Sequence, residues 1–202
     1  MFAKSLNDKK EYIANVAADV FFAKGYKESS LQDIAAKGKI SKAGIYHYFK
    51  SKSDILSYIL LGFTERGIAT MMKCLREAQE KKLMPQQILS ALFKIYAQNA
   101  LRNRKMSRIV LRERHQLTAK NRKALLKRER LIFHTVRDQL RQVPNLNKKL
   151  NTNIISFQII SMIQWIGYWY DSRGSLAESE AIDQMLHIVL YGILDSKRGE
   201  RV

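Results

Sequence analysis

The sequence predicts an all-α fold: a three-helix helix-turn-helix domain over 1–52, followed by a larger helical domain over 53–202. Three observations carry that expectation. Only two prolines and nine glycines occur in 202 residues, so turns are few and helices long. Apolar residues recur at three- and four-residue spacing along most of the chain. Serine-led start signals of the form S-x-x-D, Ser30 with Asp33 and Ser51 with Asp54, precede two of the apolar stripes.

The first helix is expected to begin near Asn7 or Asp8, with Ile13, Ala17 and Phe21 as its stripe and Gly25 as a left-handed stop. Ser30 opens the second, Leu31, Ile34 and Ala35 bury it, and Gly38 breaks it. Ser41 opens the third after a short turn. Two short helices joined by a few residues including glycine form a helix-turn-helix. A fourth helix starts about Ser53 and reaches toward Lys82. Pro85 suits the first turn of a fifth, with Ile88, Leu89, Leu92, Phe93 and Tyr96 on its apolar side. Helices over Met106–Gln116 and Ala119–Gln142 follow, and Pro144 stops the second of these. The segment Ile154–Tyr170 is apolar nearly all round, which suits a helix buried on every side, against its own core and against another subunit. As a membrane span it would be at the lower limit of length, and Ser156, Gln158, Ser161 and Gln164 weaken that reading further. No membrane insertion is expected. A last helix spans about Ser179–Ser196. Ile159, Ile163, Ile166, Met185, Leu186 and Val189 are the expected dimer contacts on these two helices.

The chemistry concentrates in Ile40–Lys52, ISKAGIYHYFKSK. Ser41 can cap a helix; Lys42, Ala43 and Gly44 are cationic, small and smallest. A helical glycine costs about 1 kcal/mol against alanine, so Gly44 needs a reason, and close approach to another surface would be one. Tyr46, His47 and Tyr48 put polar tips on rigid rings, Ile45 and Phe49 can anchor the far side, and Lys50 and Lys52 close the segment. It reads as a recognition helix for a DNA major groove, with lysines and hydroxyls for phosphates.

The net charge of +18 favours a polyanionic partner, nucleic acid first and membrane surface second. Residues 1–52 carry ten lysines against five acids, whereas 102–149 carry sixteen Lys and Arg against three acids. Most of the excess thus lies outside the recognition segment. It supports three readings: a solvated basic face, a dock for an anionic effector such as the phosphates of coenzyme A, or direct non-specific nucleic-acid binding. The single cysteine, Cys74, excludes an internal disulfide and fits a reducing, cytoplasmic setting; no signal peptide is visible.

The first 56 residues resemble the DNA-binding domain of the tetracycline-repressor (TetR) family. The likeness runs from Ala17 through Phe21-Phe22, Gly25-Tyr26, Ser30, Ile34-Ala35, Ile40-Ser41, Ile45-Tyr46 and Tyr48-Phe49 to Lys52 and Leu56. Lys39 and Ala43 depart from it, standing where the family commonly has glycine. The resemblance implies a homodimer that represses transcription from a double-stranded DNA operator, with a ligand-binding and dimerisation domain over 53–202 and release by a small-molecule effector. It implies phosphate contacts from Tyr46, His47 and Lys52, bases faced by Lys42, Ala43 and Gly44, and Ser30 at a phosphate-facing helix start. Lys39, Ser41 and Lys50 complete the expected DNA-binding set. The carboxyl-terminal part is similar, more loosely, to the acyl-CoA-sensing FadR-like branch, through LRERHQLTAKNR, an aromatic W-x-x-x-W-Y run and a final YGIL. A long-chain acyl-CoA is then the expected effector. Its phosphates would meet Arg108 and Arg112, and its acyl tail the surface of Phe93, Tyr96, Phe133, Phe157 and Trp165.

No cofactor, metal site or catalytic residue is expected. His47, His115, His134 and His187 lie far apart, and no nucleophile–base order or glycine-rich phosphate loop is present. Three rivals stay open: a non-specific nucleic-acid-packaging protein, a membrane-surface protein, and a TetR-type regulator of a lipophilic effector other than a coenzyme A ester.

Overall fold

A computed structural model describes residues 2–171 and 173–194, with side chains from Asn7 onward. Nine α-helices occupy those residues: α1 Phe2–Lys24, α2 Leu31–Gly38, α3 Lys42–Tyr46, α4 Lys52–Glu80, α5 Pro85–Arg102, α6 Arg104–Glu113, α7 Ala119–Leu140, α8 Thr152–Trp169 and α9 Glu178–Ile193. A 3-10 turn, Arg114–Gln116, joins α6 toward α7, and no strand ladder forms among the described residues. The helix order is the expected one. α1 begins before Asn7 because Phe2–Leu6 contains no helix breaker; Asp195 and Ser196, within the expected last helix, lie outside the described residues.

The chain divides into two compact units, one of residues 1–66 with 104–128, the other of 67–103 with 129–202. The first, the head, therefore gathers the helix-turn-helix segment, the start of α4, all of α6 and the first turns of α7. Its core is Phe21, Ile34, Ile45, Phe49, Ile55, Leu56, Leu60, Ile109 and Leu125, all at most 1% exposed. Helix α1 packs on α2 and α6, and α2 on α3. Helix ends are fixed by named polar groups. The Ser30 hydroxyl accepts from Asp33 N at 3.1 Å while the Asp33 carboxylate accepts from Ser30 N at 2.8 Å, the anticipated reciprocal cap. Ser51 Oγ accepts from Asp54 N at 3.1 Å, and Gly25 takes φ +89° at the end of α1.

In the second unit α5 packs on α8 and α9 around Leu89, Phe93, Ala97, Ile159, Ile163, Ile166 and Leu186. Pro85 opens α5, as its fixed φ allows. The expected dimer residues require correction at this point. Ile159, Ile163, Ile166, Leu186 and Val189 are 0–7% exposed within their own subunit, and Met185 packs partly buried against the same core. They cannot be the surface offered to a second copy. The exposed apolar side chains of these helices are instead Ile154, Phe157, Trp165, Tyr168, Trp169, Ile188 and Tyr191. A helix apolar around its whole circumference gives periodicity no phase, so both faces of α8 look alike in the sequence. Among the described residues no helix is long and apolar enough to cross a membrane.

Candidate nucleic-acid interface

Helix α3 is five residues long and held by one wholly buried side chain, Ile45, with Phe49 buried just beyond its end. Such a short helix has little stability of its own; two inward anchors and a cap set its orientation. Ser41 supplies the cap, accepting from Gly44 N at 3.0 Å. The hydroxyl hydrogen of Ser41 stays available to a phosphate oxygen. A Cβ on Gly44 would lie 3.1 Å from both Ile40 Cγ2 and Ser41 Oγ, so the glycine is already explained inside the turn. Contact with another surface is not needed to account for it.

With Ile45 and Phe49 inward, Ser41, Lys42, Ala43, Tyr46, His47 and Lys50 are exposed, Gly44 partly so. Tyr46 is 50% exposed, a large aromatic side chain that the head leaves uncovered. The His47 and Tyr48 rings meet edge-on with centroids 5.0 Å apart, which steadies the imidazole. These seven residues share one solvent-facing surface of the α3 segment. Lys39 is exposed beside them, in the left-handed conformation (φ +49°) that closes α2. Gly38, expected to break that helix, instead ends it buried, where a Cβ would meet Val16 and Ile40.

Two expected phosphate contacts are placed differently. The Lys52 ammonium turns back into the head and donates to Tyr26 O at 2.7 Å, Lys27 O at 3.3 Å and Ser29 O, over the Tyr26 ring at 4.5 Å. It satisfies carbonyls of the α1–α2 loop and ties that loop to the start of α4. All its donors are spoken for. Ser30 is half-buried, and its hydroxyl donates to Asp33 Oδ2 at 2.7 Å. The anion at the start of α2 is the chain's own Asp33 carboxylate. Lys24 beside it, with the Ser30 bonds, pulls the Asp33 pKa down to about 2.

A further polar junction escaped the sequence reading. The Glu113 carboxylate is 4% exposed, accepting from Arg112 Nε at 2.7 Å and from Tyr26 N at 3.3 Å. The Arg112 guanidinium also donates to the carbonyls of Phe21 and Phe22 in the last turn of α1. Cations suit a helix carboxyl end, so α6 clasps the end of α1 just before the recognition segment. A lone glutamate in a strongly basic stretch was the available signal, since a buried carboxylate needs a paired cation.

The expected effector residues are divided between the two units. Arg108 and Arg112 belong to the head, where Arg108 lies over the Phe22 ring at 6.0 Å. Phe93 is core at 2% exposure. Tyr96 is largely buried; burial raises its hydroxyl pKa, partly offset by a hydrogen bond with Gln164. Phe133 packs on Phe157 at 4.6 Å, but Phe157 is 57% exposed. Trp165, also 57% exposed, stacks on Tyr168 at 5.0 Å. Phe157 and Trp165 thus belong to the outer face of α8 rather than to an enclosed pocket. No group of His, Cys, Asp and Glu that could hold a metal occurs among the described residues.

Comparison with known proteins agrees with this architecture. Residues 13–59 match the family model of the bacterial regulatory proteins, tetR family, and residues 82–193 match the tetracyclin repressor-like C-terminal domain. The chain is 24% identical over 196 residues to the HTH-type transcriptional repressor KstR2 of Mycobacterium tuberculosis, covering 95% of this chain and 96% of that one. PfmR, a TetR family transcriptional regulator from Thermus thermophilus, superposes with a TM-score of 0.79 at 25% identity, over 89% of this chain and 97% of that one. AibR, solved in complex with isovaleryl coenzyme A and operator DNA, shares the fold with a TM-score of 0.80 at 22% identity, over 89% and 97% of the two chains. With one family model spanning more than half of its length and a second covering the helix-turn-helix, this chain belongs to the TetR family of bacterial transcriptional regulators.

Proposed function

We propose that the protein is a ligand-released transcriptional repressor that grips a near-palindromic operator as a homodimer. The observation that carries this is the outward surface of α3. Ser41, Lys42, Ala43, Tyr46 and His47 face solvent from a helix whose Ile45 anchor is wholly buried. Lys42 and the hydroxyls of Ser41 and Tyr46 suit phosphate oxygens, while Ala43 and Gly44 let the backbone approach base edges. Such small residues read little sequence directly, so part of the specificity lies in duplex shape. Two copies would place their recognition helices about 34 Å apart on successive major-groove faces.

The exposed apolar face of α8 and α9 supports the homodimer. Phe157, Trp165, Tyr168, Trp169, Ile188 and Tyr191 are each about half or more exposed, and large aromatic anchors of this kind dominate interface energies. The effector favoured is a long-chain acyl thioester of coenzyme A. AibR, which carries a shorter acyl-CoA, has the same fold. An effector that prefers the conformation with wrongly spaced heads lowers operator affinity by its differential affinity for the two states.

Anisotropy titrations test the reading, with a duplex selected by the protein from a random library. Lys42→Ala and Tyr46→Phe should each weaken binding roughly tenfold, about 1.4 kcal/mol, without changing the thermal melt. Oleoyl-coenzyme A should release the duplex, with oleate or coenzyme A alone doing so poorly. Unchanged affinity in both variants rejects the recognition surface. Indifference to the thioester rejects that effector and leaves the repressor.

A further inference from the structure

The charge excess that the recognition segment left unexplained collects in the head. Residues 1–66 and 104–128 carry twenty-one Lys and Arg against eight Asp and Glu, a net +13 of the chain's +18. A few of these cations are already paired. Lys24 pairs with Asp33, Lys105 with Asp19, Arg66 with Glu11 and Arg128 with Glu65. The first turns of α7 differ. Lys120, Arg122, Lys123 and Lys127 are all exposed, and none has an acidic partner among the described residues. At 100° per residue, Lys120, Lys123 and Lys127 share one stripe, about 10 Å long at 1.5 Å per residue. Like charges at these spacings destabilise a helix, and no acidic side chain among the described residues of the head pairs with them.

The position of this stripe is fixed by two contacts. Asn121 Nδ2 donates to Ser57 Oγ at 2.7 Å, and Arg128 Nε donates to Glu65 Oε2 at 2.7 Å. Helix α7 therefore runs alongside α4 in the same direction, its basic start beside the second turn of α4. That turn is only about 8 Å along the helix from Lys52, which follows Tyr46 by six residues. On the α3 side the ammonium groups of Lys42 and Lys50 likewise have no acidic partner among the described residues, although Lys50 N donates to Asp54 Oδ2 at 3.2 Å. Two sets of uncompensated cations thus occupy one compact unit.

We propose that the first three turns of α7, through Lys120, Lys123 and Lys127, form a second, sequence-independent phosphate-contacting surface that holds duplex DNA flanking the segment read by α3. The proposal rests on the operator-binding reading and adds a partner surface to it. Base edges are not involved: the stripe holds only ammonium groups, which act on phosphate as point charges. It adds affinity and association rate, and no sequence preference.

The test compares the triple variant K120Q/K123Q/K127Q with K81Q/K148Q/K149Q, which removes equal charge from the second unit. Anisotropy is followed from about 50 to 200 mM salt with the selected duplex and an unselected duplex of about 30 base pairs. Each lost phosphate contact lowers the slope of log K against log salt by about 0.9, so the α7 variant should lose about two to three units of slope. It should weaken on both duplexes alike and keep their affinity ratio, whereas the control triple should keep the wild-type slope. Restoring charge as K120R/K123R/K127R should restore the slope, and circular dichroism confirms the fold throughout. A wild-type slope in the α7 variant overturns the proposal, as does equal loss in the control, which would mark a long-range field only. Normal DNA binding with lost release by oleoyl-coenzyme A also overturns it and assigns the lysines to the effector's phosphates. Failure of the operator reading is separately visible, as a wild-type protein that binds both duplexes equally.

Discussion

The head and the second unit hold themselves together by different means. In the head, helix starts and the α1–α2 loop are set by directed polar contacts: Ser30 with Asp33, Ser41 with Gly44 N, Ser51 with Asp54, and Lys52 with three loop carbonyls. The second unit has such ends too, with Asn151 Oδ1 accepting from Asn153 N at 2.9 Å and Gln87 Oε1 from Met84 N at 2.9 Å, but its helices meet mainly along apolar faces, and α8 carries apolar side chains inside and outside at once. A directed contact specifies one geometry between two named groups. Apolar burial is non-directional; it rewards covering a surface and is indifferent to which face is covered first. The same difference suits the tasks. On the function proposed above, a reading surface needs side chains fixed in place, whereas a ligand-responsive unit needs packing that can settle in more than one arrangement.

The sharpest way to break this contrast is to mutate the two sides of α8. Ile163, at 1% exposure, faces its own core, whereas Trp165, two residues on, is 57% exposed. Ile163→Ala should lower protomer stability by about 2–5 kcal/mol in urea unfolding, through lost burial and a residual cavity. Trp165→Glu should leave the protomer's far-ultraviolet spectrum unchanged and shift the species in analytical ultracentrifugation from dimer to monomer. If Ile163→Ala were the variant that dissociated a stable protomer, the inside and outside of α8 would be reversed.

That experiment also marks where sequence reading stopped. The capping pairs, Gly25 and Pro85 were legible because each residue type does one local thing at one kind of position. The order of helices was legible for the same reason. The inward side of α8 was not, since Ile154, Phe157 and Trp165 carry the same hydrophobic signal as Ile155, Ile159 and Ile163. Arg112 was assigned to phosphate for a different reason. Arg108 and Arg112 suit phosphate by chemistry, but only the fold shows that α6 lies against α1, where Arg112 meets the Phe21 and Phe22 carbonyls. Lys52 shows the same limit: a lysine at the edge of a recognition segment looks like a phosphate contact until its carbonyl partners are seen.

Lys52 accordingly provides a second, smaller test. Lys52→Met keeps the aliphatic stem and removes the ammonium that satisfies Tyr26, Lys27 and Ser29 carbonyls. Hydrogen bonds to charged groups contribute about 1.5–3 kcal/mol, and the loop lies partly in solvent, so a loss of about 1–2 kcal/mol is expected in urea unfolding. Operator affinity should fall because the loop and α4 lose their tie, with the salt slope close to wild type. Lys42→Met should do the reverse, leaving stability intact and lowering the slope by about 0.9. A Lys52 variant that behaved like the Lys42 variant would mean that its ammonium leaves the loop to meet a phosphate.

Lys39 carries the smallest expected effect and joins both concerns in one residue. It sits at φ +49°, a left-handed conformation that costs a residue with a Cβ about 1–2 kcal/mol. Glycine there removes the steric cost but brings a more flexible unfolded chain, which takes back part of the gain. Lys39→Gly should therefore stabilise the head by no more than about 0.5–1 kcal/mol, and Lys39→Asn, which tolerates the same conformation, by somewhat less. Both variants also remove a charge beside the exposed lysines of α3. If Lys39 touches phosphate, each should lower the salt slope by about 0.9 while raising the melting temperature. Opposite signs in the two measurements would identify a strained lysine kept for its charge. A stabilised variant with an unaltered slope would leave the strain without a compensating contact and remove Lys39 from the reading surface.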